Sequence, residues 1–150
     1  MTTIREANPA DLESITSLLA ACGLLAAGVL TPGSRYWLAE DGDHVVGAIG
    51  LECGSEAGLL RSAGVLPSQR GLGLGAQLTQ RLFDAAAAAG LRHLYCFSTG
   101  AGDYWQRHGF VEVPVPELVA ALPNCFQVQH YAALGWLPTE IAWRKDLRAA

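Results

Sequence analysis

The stretch Arg70-Gly71-Leu72-Gly73-Leu74-Gly75 sets glycine at every second position, behind a cation and ahead of an apolar, alanine-rich run. Glycine is the poorest ordinary residue for helix and strand alike, so this spacing costs backbone order. Something must approach this backbone too closely for side chains. The stretch follows a strand-like run, "GLLRSAGVL", and opens a helix-like one in which Leu74, Leu78, Leu82, Ala85 and Ala89 share a face. At such a junction free N–H groups and the positive end of the helix dipole converge, which suits a phosphate. Arg70 adds a positive charge. A pyrophosphate cradle is expected, against the plainer reading of a glycine connection that serves tight packing alone.

Other residues carry chemistry more locally. Arg61 is the one charge in the apolar run "LLRSAGV", where alternation puts Leu59, Arg61, Ala63 and Val65 on one face. A buried arginine needs an anionic partner. That partner is either internal, with Glu52 or Glu140 as candidates, or a substrate carboxylate held in the planar guanidinium fork. Glu52 and Glu56 flank a strand end and are candidate general bases, against the commoner reading of such residues as charges on a surface turn. His108 and His130 are weaker candidates, His130 on an amphipathic segment with Phe126, Tyr131 and Leu134. Cys22, Cys53, Cys96 and Cys125 form no CxxC pair and meet no histidine at ligand spacing. Buried, reduced thiols and no metal site are expected.

These residues need a scaffold. The chain has 150 residues, of which 51% are hydrophobic and 16% charged, enough for one globular domain over 1–150 with a real core. A net charge of -4 without a Lys/Arg cluster argues against nucleic acid as a partner. The start, "MTTIREANPADLES", shows no signal-peptide pattern, and no apolar run is long enough to span a bilayer, so a cytoplasmic protein without a membrane partner is expected. "TTIREA" alternates as a strand. A helix starts at Asn8 or Asp11 and carries Leu12, Ile15, Leu18 and Leu19 at helical spacing to Gly23. "LLAAGVLTPGS" reads as a short helix and a turn. "RYWLAED" and "HVVGAIGLE" form a hairpin at "DGD", and "GLLRSAGVL" completes an antiparallel meander. After the long helix come the strand "RHLYCFS", a short helix closed by Gly109, the strand "FVEV", two short helices, and a last strand in "TEIAWRKDL". The fold class is α+β with a mixed sheet and one βαβ passage.

Three phosphate cradles compete for the glycine stretch. A P-loop needs GxxxxGK[ST], and no lysine follows. The dinucleotide pattern fits Gly71, Gly73 and Ala76, but it belongs at the opening of a parallel sheet and needs an acid at the end of the next strand. Here a meander comes first and the next strand ends in "YCFST". The third is a coenzyme A site. "GVLPSQRGLGLGAQL" resembles the V-x-P-x-x-R-G-x-G-x-G segment of the GCN5-related N-acetyltransferases, the GNAT family. "YWQRHGF" resembles that family's closing signature, and the likeness in element order runs from the first strand to the last.

The resemblance implies a central, mostly antiparallel sheet flanked by helices, with fourth and fifth strands splayed around acetyl-CoA. It implies that Val65 bonds the pantetheine arm through its backbone. Gln69, Arg70, Gly71, Leu72, Gly73, Leu74, Gly75 and the amide of Ala76 would hold the pyrophosphate. An amide at residues 63–65, Ala63 included, would support the developing oxyanion. An amine attacks the thioester directly, aided by a base and by a proton source for the thiolate. The family often supplies that proton from a tyrosine where this chain has Trp105. Tyr104 is adjacent, one helical step and ~100° away; either it or water serves, or both aromatics cap the core. Ser98 stands where the family often has an asparagine that bonds pantetheine. "LLRS" also resembles the arsenic-resistance acetyltransferases and related small-molecule enzymes, and with Arg61 it points to a small amine bearing a carboxylate. Residues 115–138 exceed the family's usual turn and would wall the substrate pocket or dock a second subunit as a homodimer. The other readings are a non-catalytic acyl-CoA sensor, kept open by Trp105, and, more remotely, a nucleotide-binding protein.

Overall fold

The computed structural model describes residues 2–147, the side chain of Cys53 excepted. In chain order the elements are β1 (Thr2–Glu6), α1 (Leu12–Ala21), β2 (Ser34–Asp41), β3 (His44–Cys53), β4 (Ala57–Val65), α2 (Leu74–Ala88), β5 (His93–Phe97), α3 (Gly102–Arg107), β6 (Val111–Val113), α4 (Val115–Ala121), α5 (Phe126–Leu134) and β7 (Ala142–Asp146). The strands form one mixed sheet in the order β1-β2-β3-β4-β5-β7-β6. β1 with β2, β5 with β7 and β6 with β7 are antiparallel, and β4 with β5 is parallel. The chain divides into two compact units. One runs to Leu51 and resumes at Arg61–Ala85; the other holds Glu52–Leu60 and the chain from Ala86 onward.

In the first unit α1 is set by its sequence. Asn8 and Asp11 make a reciprocal cap, the Asn8 side chain accepting from the Ala10 amide (2.9 Å) and Asp11 from the Asn8 amide (2.8 Å). Helical spacing then buries Ile15, Leu18 and Leu19 against Val29, Tyr36, Leu38 and Ala48. The helix stops at Ala21, and Gly23 follows at φ +72°. No helix forms in "LLAAGVLTPGS", contrary to the sequence expectation. Left-handed backbone at Gly28 (+78°), Leu30 (+57°) and Gly33 (+86°) turns the chain there instead. α2 buries Leu74, Leu78 and Leu82, as its periodicity requires, but Ala86 takes the next core place, Ala85 being half-buried and Ala89 exposed past the helix end.

In the second unit β5 pairs with the first residues of β4, Ala57 opposite His93 through Leu59 opposite Tyr95. β4 continues to Val65 and β5 to Phe97, where β5 stays paired with β7. The core here joins Ala57, Leu59 and Tyr95 with Leu118, Leu122 and Val128 of α4, α5 and the turn between them. Residues 115–138 thus complete a core. Cys96 and Cys125 are buried free thiols and Cys22 is half-buried; the environment of Cys53 lies outside the described residues.

Candidate functional site

The glycine stretch is exposed backbone between two anchors. Upstream, the Leu66 amide bonds the Val46 carbonyl (2.9 Å), and Pro67–Gln69 form one 3₁₀ turn. Downstream, buried Leu74 fixes the start of α2. Gly71 and Gly73 between them have φ +83° and +79°, a region that disfavours L side chains. A Cβ on Gly71 would meet nothing within 4 Å, and one on Gly73 would meet only the Gln77 side chain at 4.0 Å. Packing inside the protein therefore does not demand these glycines. They give the loop its left-handed turns and leave its outer face bare. The Gln77 amide closes the first helical bond onto the Gly73 carbonyl (3.1 Å). The amides of Leu74, Gly75 and Ala76 precede it and have no intrahelical acceptor. Exposed Arg70 bends back so that its Nε donates to the Val65 carbonyl (3.0 Å), which ties the cation to this loop. Leu72 projects into solvent, 63% exposed. A left-handed loop, bare amides and a tethered cation fit a pyrophosphate.

Just upstream lies a feature that the sequence did not signal. Ala57–Arg61 are all buried, so burial does not alternate along this half of β4. The simple face assignment for Leu59, Arg61, Ala63 and Val65 then breaks, because Ser62 takes φ +57° and interrupts the pleat. Arg61, 5% exposed, donates from Nη2 to the Ala27 carbonyl (2.7 Å) and from Nε to the Ser62 hydroxyl (3.0 Å). The same hydroxyl meets the Tyr36 phenol at 3.2 Å. Beyond this turn Ala63 is exposed and Val65 half-buried.

In the second unit the expected residues have distinct settings. Glu52 is not a charge on a surface turn. It is 4% exposed and its two carboxylate oxygens accept from the amides of Phe126 (2.9 Å) and Gln127 (3.2 Å). Cys125 gives α5 no side-chain cap, so a carboxylate from β3 supplies one. Glu56 is exposed, and its carbonyl accepts from the Arg92 amide (2.7 Å). Ser98 is half-buried at the end of β5, its amide bonded to the Ile141 carbonyl (2.9 Å) and its carbonyl to Trp143 Nε1 (2.9 Å).

The aromatic pair on α3 divides. Trp105 is 6% exposed and packs edge-on with Phe110 at 5.4 Å. Tyr104 is half-buried, 4.5 Å from the His108 ring and at right angles to Trp105 at 4.9 Å. One residue along a helix turns the second ring out of the core. Burial first, then the charges of Lys145 and Arg107, lower the His108 pKa below that of an ordinary imidazole. His130 lies flat on Phe126 at 5.3 Å. Among the described residues no His, Cys, Asp and Glu group could hold a metal ion, and no helix is long and apolar enough to cross a membrane.

A mixed sheet whose fourth strand leads through a glycine-rich loop into a long helix is the architecture that the sequence resemblance implied. The chain belongs to the GNAT acetyltransferase family, whose acetyltransferase domain matches residues 32–112. No curated protein matches it. Among solved structures it is similar to N-acetylglutamate synthase from Neisseria gonorrhoeae complexed with coenzyme A and N-acetyl-glutamate, with a TM-score of 0.78 and 20% identity. That likeness covers 99% of this chain but 35% of the synthase, so the chain spans about a third of that relative. It is also similar to Rv2747 from Mycobacterium tuberculosis, solved with CoA, at TM-score 0.73 and 21% identity over 97% and 99% of the two chains. A GNAT-family acetyltransferase from Staphylococcus aureus Mu50 matches at TM-score 0.77 and 16% identity over 99% and 100%. At these identities the structures establish the fold. The finer likeness to arsenic-resistance enzymes is not shown by these comparisons.

Proposed function

We propose that the protein transfers an acetyl group from acetyl-CoA to the amine of a small, amino-acid-like substrate. The observation that carries this is the loop where left-handed Gly71 and Gly73 lead into the first turn of α2, whose amides have no intrahelical acceptor, beside Arg70. Acetyl-CoA supplies the acyl group as an activated thioester. Gln69, Arg70 and the backbone of residues 71–76 hold its pyrophosphate, through amides that need no reorganisation. Backbone groups of Ala63 and Val65 hold the pantetheine arm and support the oxyanion, and Ser98 adds a hydroxyl. Tyr104, the less buried ring of its pair, is the proposed proton donor to the departing thiolate. Glu52 already accepts two backbone amides, and we assign it to seating α5. Water then takes the ammonium proton in place of this carboxylate.

The acceptor class rests on two supports. Arg61 is a buried cation beside the exposed end of β4, and its guanidinium fork suits a carboxylate. One similar structure, the synthase, is complexed with N-acetyl-glutamate. Arg61 would make this contact while also holding Ala27 and Ser62. A second reading, an acyl-CoA sensor without turnover, draws on Trp105, a buried indole where the family often has a tyrosine. The test is release of free CoA from acetyl-CoA across a library of amines, amino acids included. Turnover with acidic amines at low KM supports the proposal. Tight acetyl-CoA binding with no CoA release from any amine overturns it in favour of the sensor.

A further inference from the structure

Among the described residues only Leu30 and Ser62 take positive φ without being glycine, both at +57°. For an L residue this conformation persists only where its surroundings over-determine it. At Ser62 the surroundings are visible. The hydroxyl meets the Tyr36 phenol at 3.2 Å and accepts from Arg61 Nε at 3.0 Å. Each of those partners is itself fixed. Tyr36 is fully buried, and a Cβ on Gly50 would fall inside its ring, so the ring occupies the space that glycine leaves. Arg61 is anchored by Nη2 on the Ala27 carbonyl at 2.7 Å. That carbonyl belongs to the turn that ends at left-handed Leu30.

We propose that Ser62 is a positioning residue, whose hydroxyl, gripped by Tyr36 and Arg61, holds the left-handed turn in β4 that aims the backbone groups of residues 63–65 at the acyl thioester. This rests on the acetyl-transfer reading, which gives those backbone groups the pantetheine arm and the oxyanion. The physical case is the choice of residue. Glycine would adopt the turn without strain, but it would leave nothing to hold it. Serine accepts the strain and adds the one atom that both neighbours can reach. Donors aimed at developing charge lose their effect when their direction drifts, even if binding is intact. Ser62 therefore acts on the chemical step, and the cradle at residues 69–76 acts on cofactor affinity.

The experiment compares wild type, Ser62→Gly, Ser62→Ala and Tyr36→Phe. Melting temperature, acetyl-CoA Kd by calorimetry, kcat and KM by CoA release, and amide hydrogen exchange at residues 63–65 are measured on each. Ser62→Gly relieves the strain and removes the anchor, so it is the decisive variant. It is expected to melt near wild type, to keep Kd and acceptor KM within about twofold, to exchange faster at 63–65, and to lose roughly ten- to a hundredfold in kcat. Tyr36→Phe shows the same split to a smaller degree, and Ser62→Ala shows it with an added loss of melting temperature. Unchanged kcat or unchanged exchange in Ser62→Gly overturns the proposal, as does a kcat loss that only follows melting temperature. If wild type itself releases no CoA, the acetyl-transfer reading fails. Exchange then still decides the lock: faster exchange in Ser62→Gly supports it, and unchanged exchange overturns it.

Discussion

Alanine at Gly73, compared with alanine at Gly90, tests the cradle directly. Both glycines flank α2, one before its first residue and one beyond its last, with φ +79° and +78°. Neither position is crowded: a Cβ meets only the Gln77 side chain at 4.0 Å at one and nothing within 4 Å at the other. The folding cost is therefore the same left-handed strain in both, about 1–2 kcal/mol. For a domain of this size that lowers Tm by roughly 2–8 °C. Ligand affinity separates them. At Gly73 the methyl group stands on the bare face where phosphate oxygens would meet the amides. Losing one charge-assisted hydrogen bond costs ~1.5–3 kcal/mol, or roughly ten- to a hundredfold in Kd. Calorimetry well below both melting points should show that loss for acetyl-CoA in Gly73→Ala and wild-type affinity in Gly90→Ala. NAD and ATP should bind far more weakly to all three proteins. Equal acetyl-CoA affinity in the two variants would refute the assignment of the loop as the pyrophosphate site.

Tyr104→Phe should lower kcat by roughly one to three decades, the scale of a lost general acid, with acetyl-CoA Kd unchanged; an unaltered kcat makes Tyr104 a packing residue. Arg61→Met removes the anchors on Ala27 and Ser62 and should lower Tm. If Arg61 also grips a carboxylate, KM for acidic amines rises roughly ten- to a hundredfold over that for neutral ones, and uniform loss toward both ends the carboxylate proposal. Hydrogen bonds from Arg5 (2.7 and 2.9 Å) hold the Asp11 carboxyl down at about 2, below its ordinary 3.8. Its contribution is thus present above pH 3.8 and lost as pH falls through about 2; discounted for the partly exposed Arg5, it is about 1 kcal/mol. The Tm gap between wild type and Asp11→Asn should stand at pH 7, narrow as pH falls below 3.8 and close only below about 2, and a gap as wide at pH 2 as at pH 7 would contradict this origin.

What could be read in advance was local. The faces of α1 and α2 repeat within a few residues, so Ile15, Leu18, Leu19, Leu74, Leu78 and Leu82 identified themselves as core. The glycine-rich loop before α2 was legible because its glycines, its arginine and its helix lie within one short run. Glu52 was not, since its partners Phe126 and Gln127 lie more than seventy residues away and no spacing rule links a strand carboxylate to a helix start. The absent helix in "LLAAGVLTPGS" has a similar cause. Apolar composition favoured a helix, but left-handed Gly28, Leu30 and Gly33 turned the segment. At Arg61, periodicity exposed a buried charge, but a backbone carbonyl and a neighbouring hydroxyl are among its partners, and a sequence search for acids would find neither.

Left-handed backbone serves two purposes between Ser62 and Gly73. At Gly71 and Gly73 the outer face is open, and glycine is what the proposed phosphate site needs there, since any side chain would stand between backbone and ligand. At Ser62 the protein itself surrounds the turn, and a side chain with a hydroxyl is what the turn needs, because Tyr36 and Arg61 are there to hold it. On this proposal the residue chosen for a costly conformation reports what completes it, a ligand from outside in one case and the protein's own side chains in the other. It follows that the two sites answer differently to the same chemical change. Adding a methyl group at Gly73 should weaken cofactor binding, and removing the side chain at Ser62 should slow the step that follows binding. A variant carrying both changes should show the two losses independently, Kd from one and kcat from the other, because the cradle and the lock share no side chain.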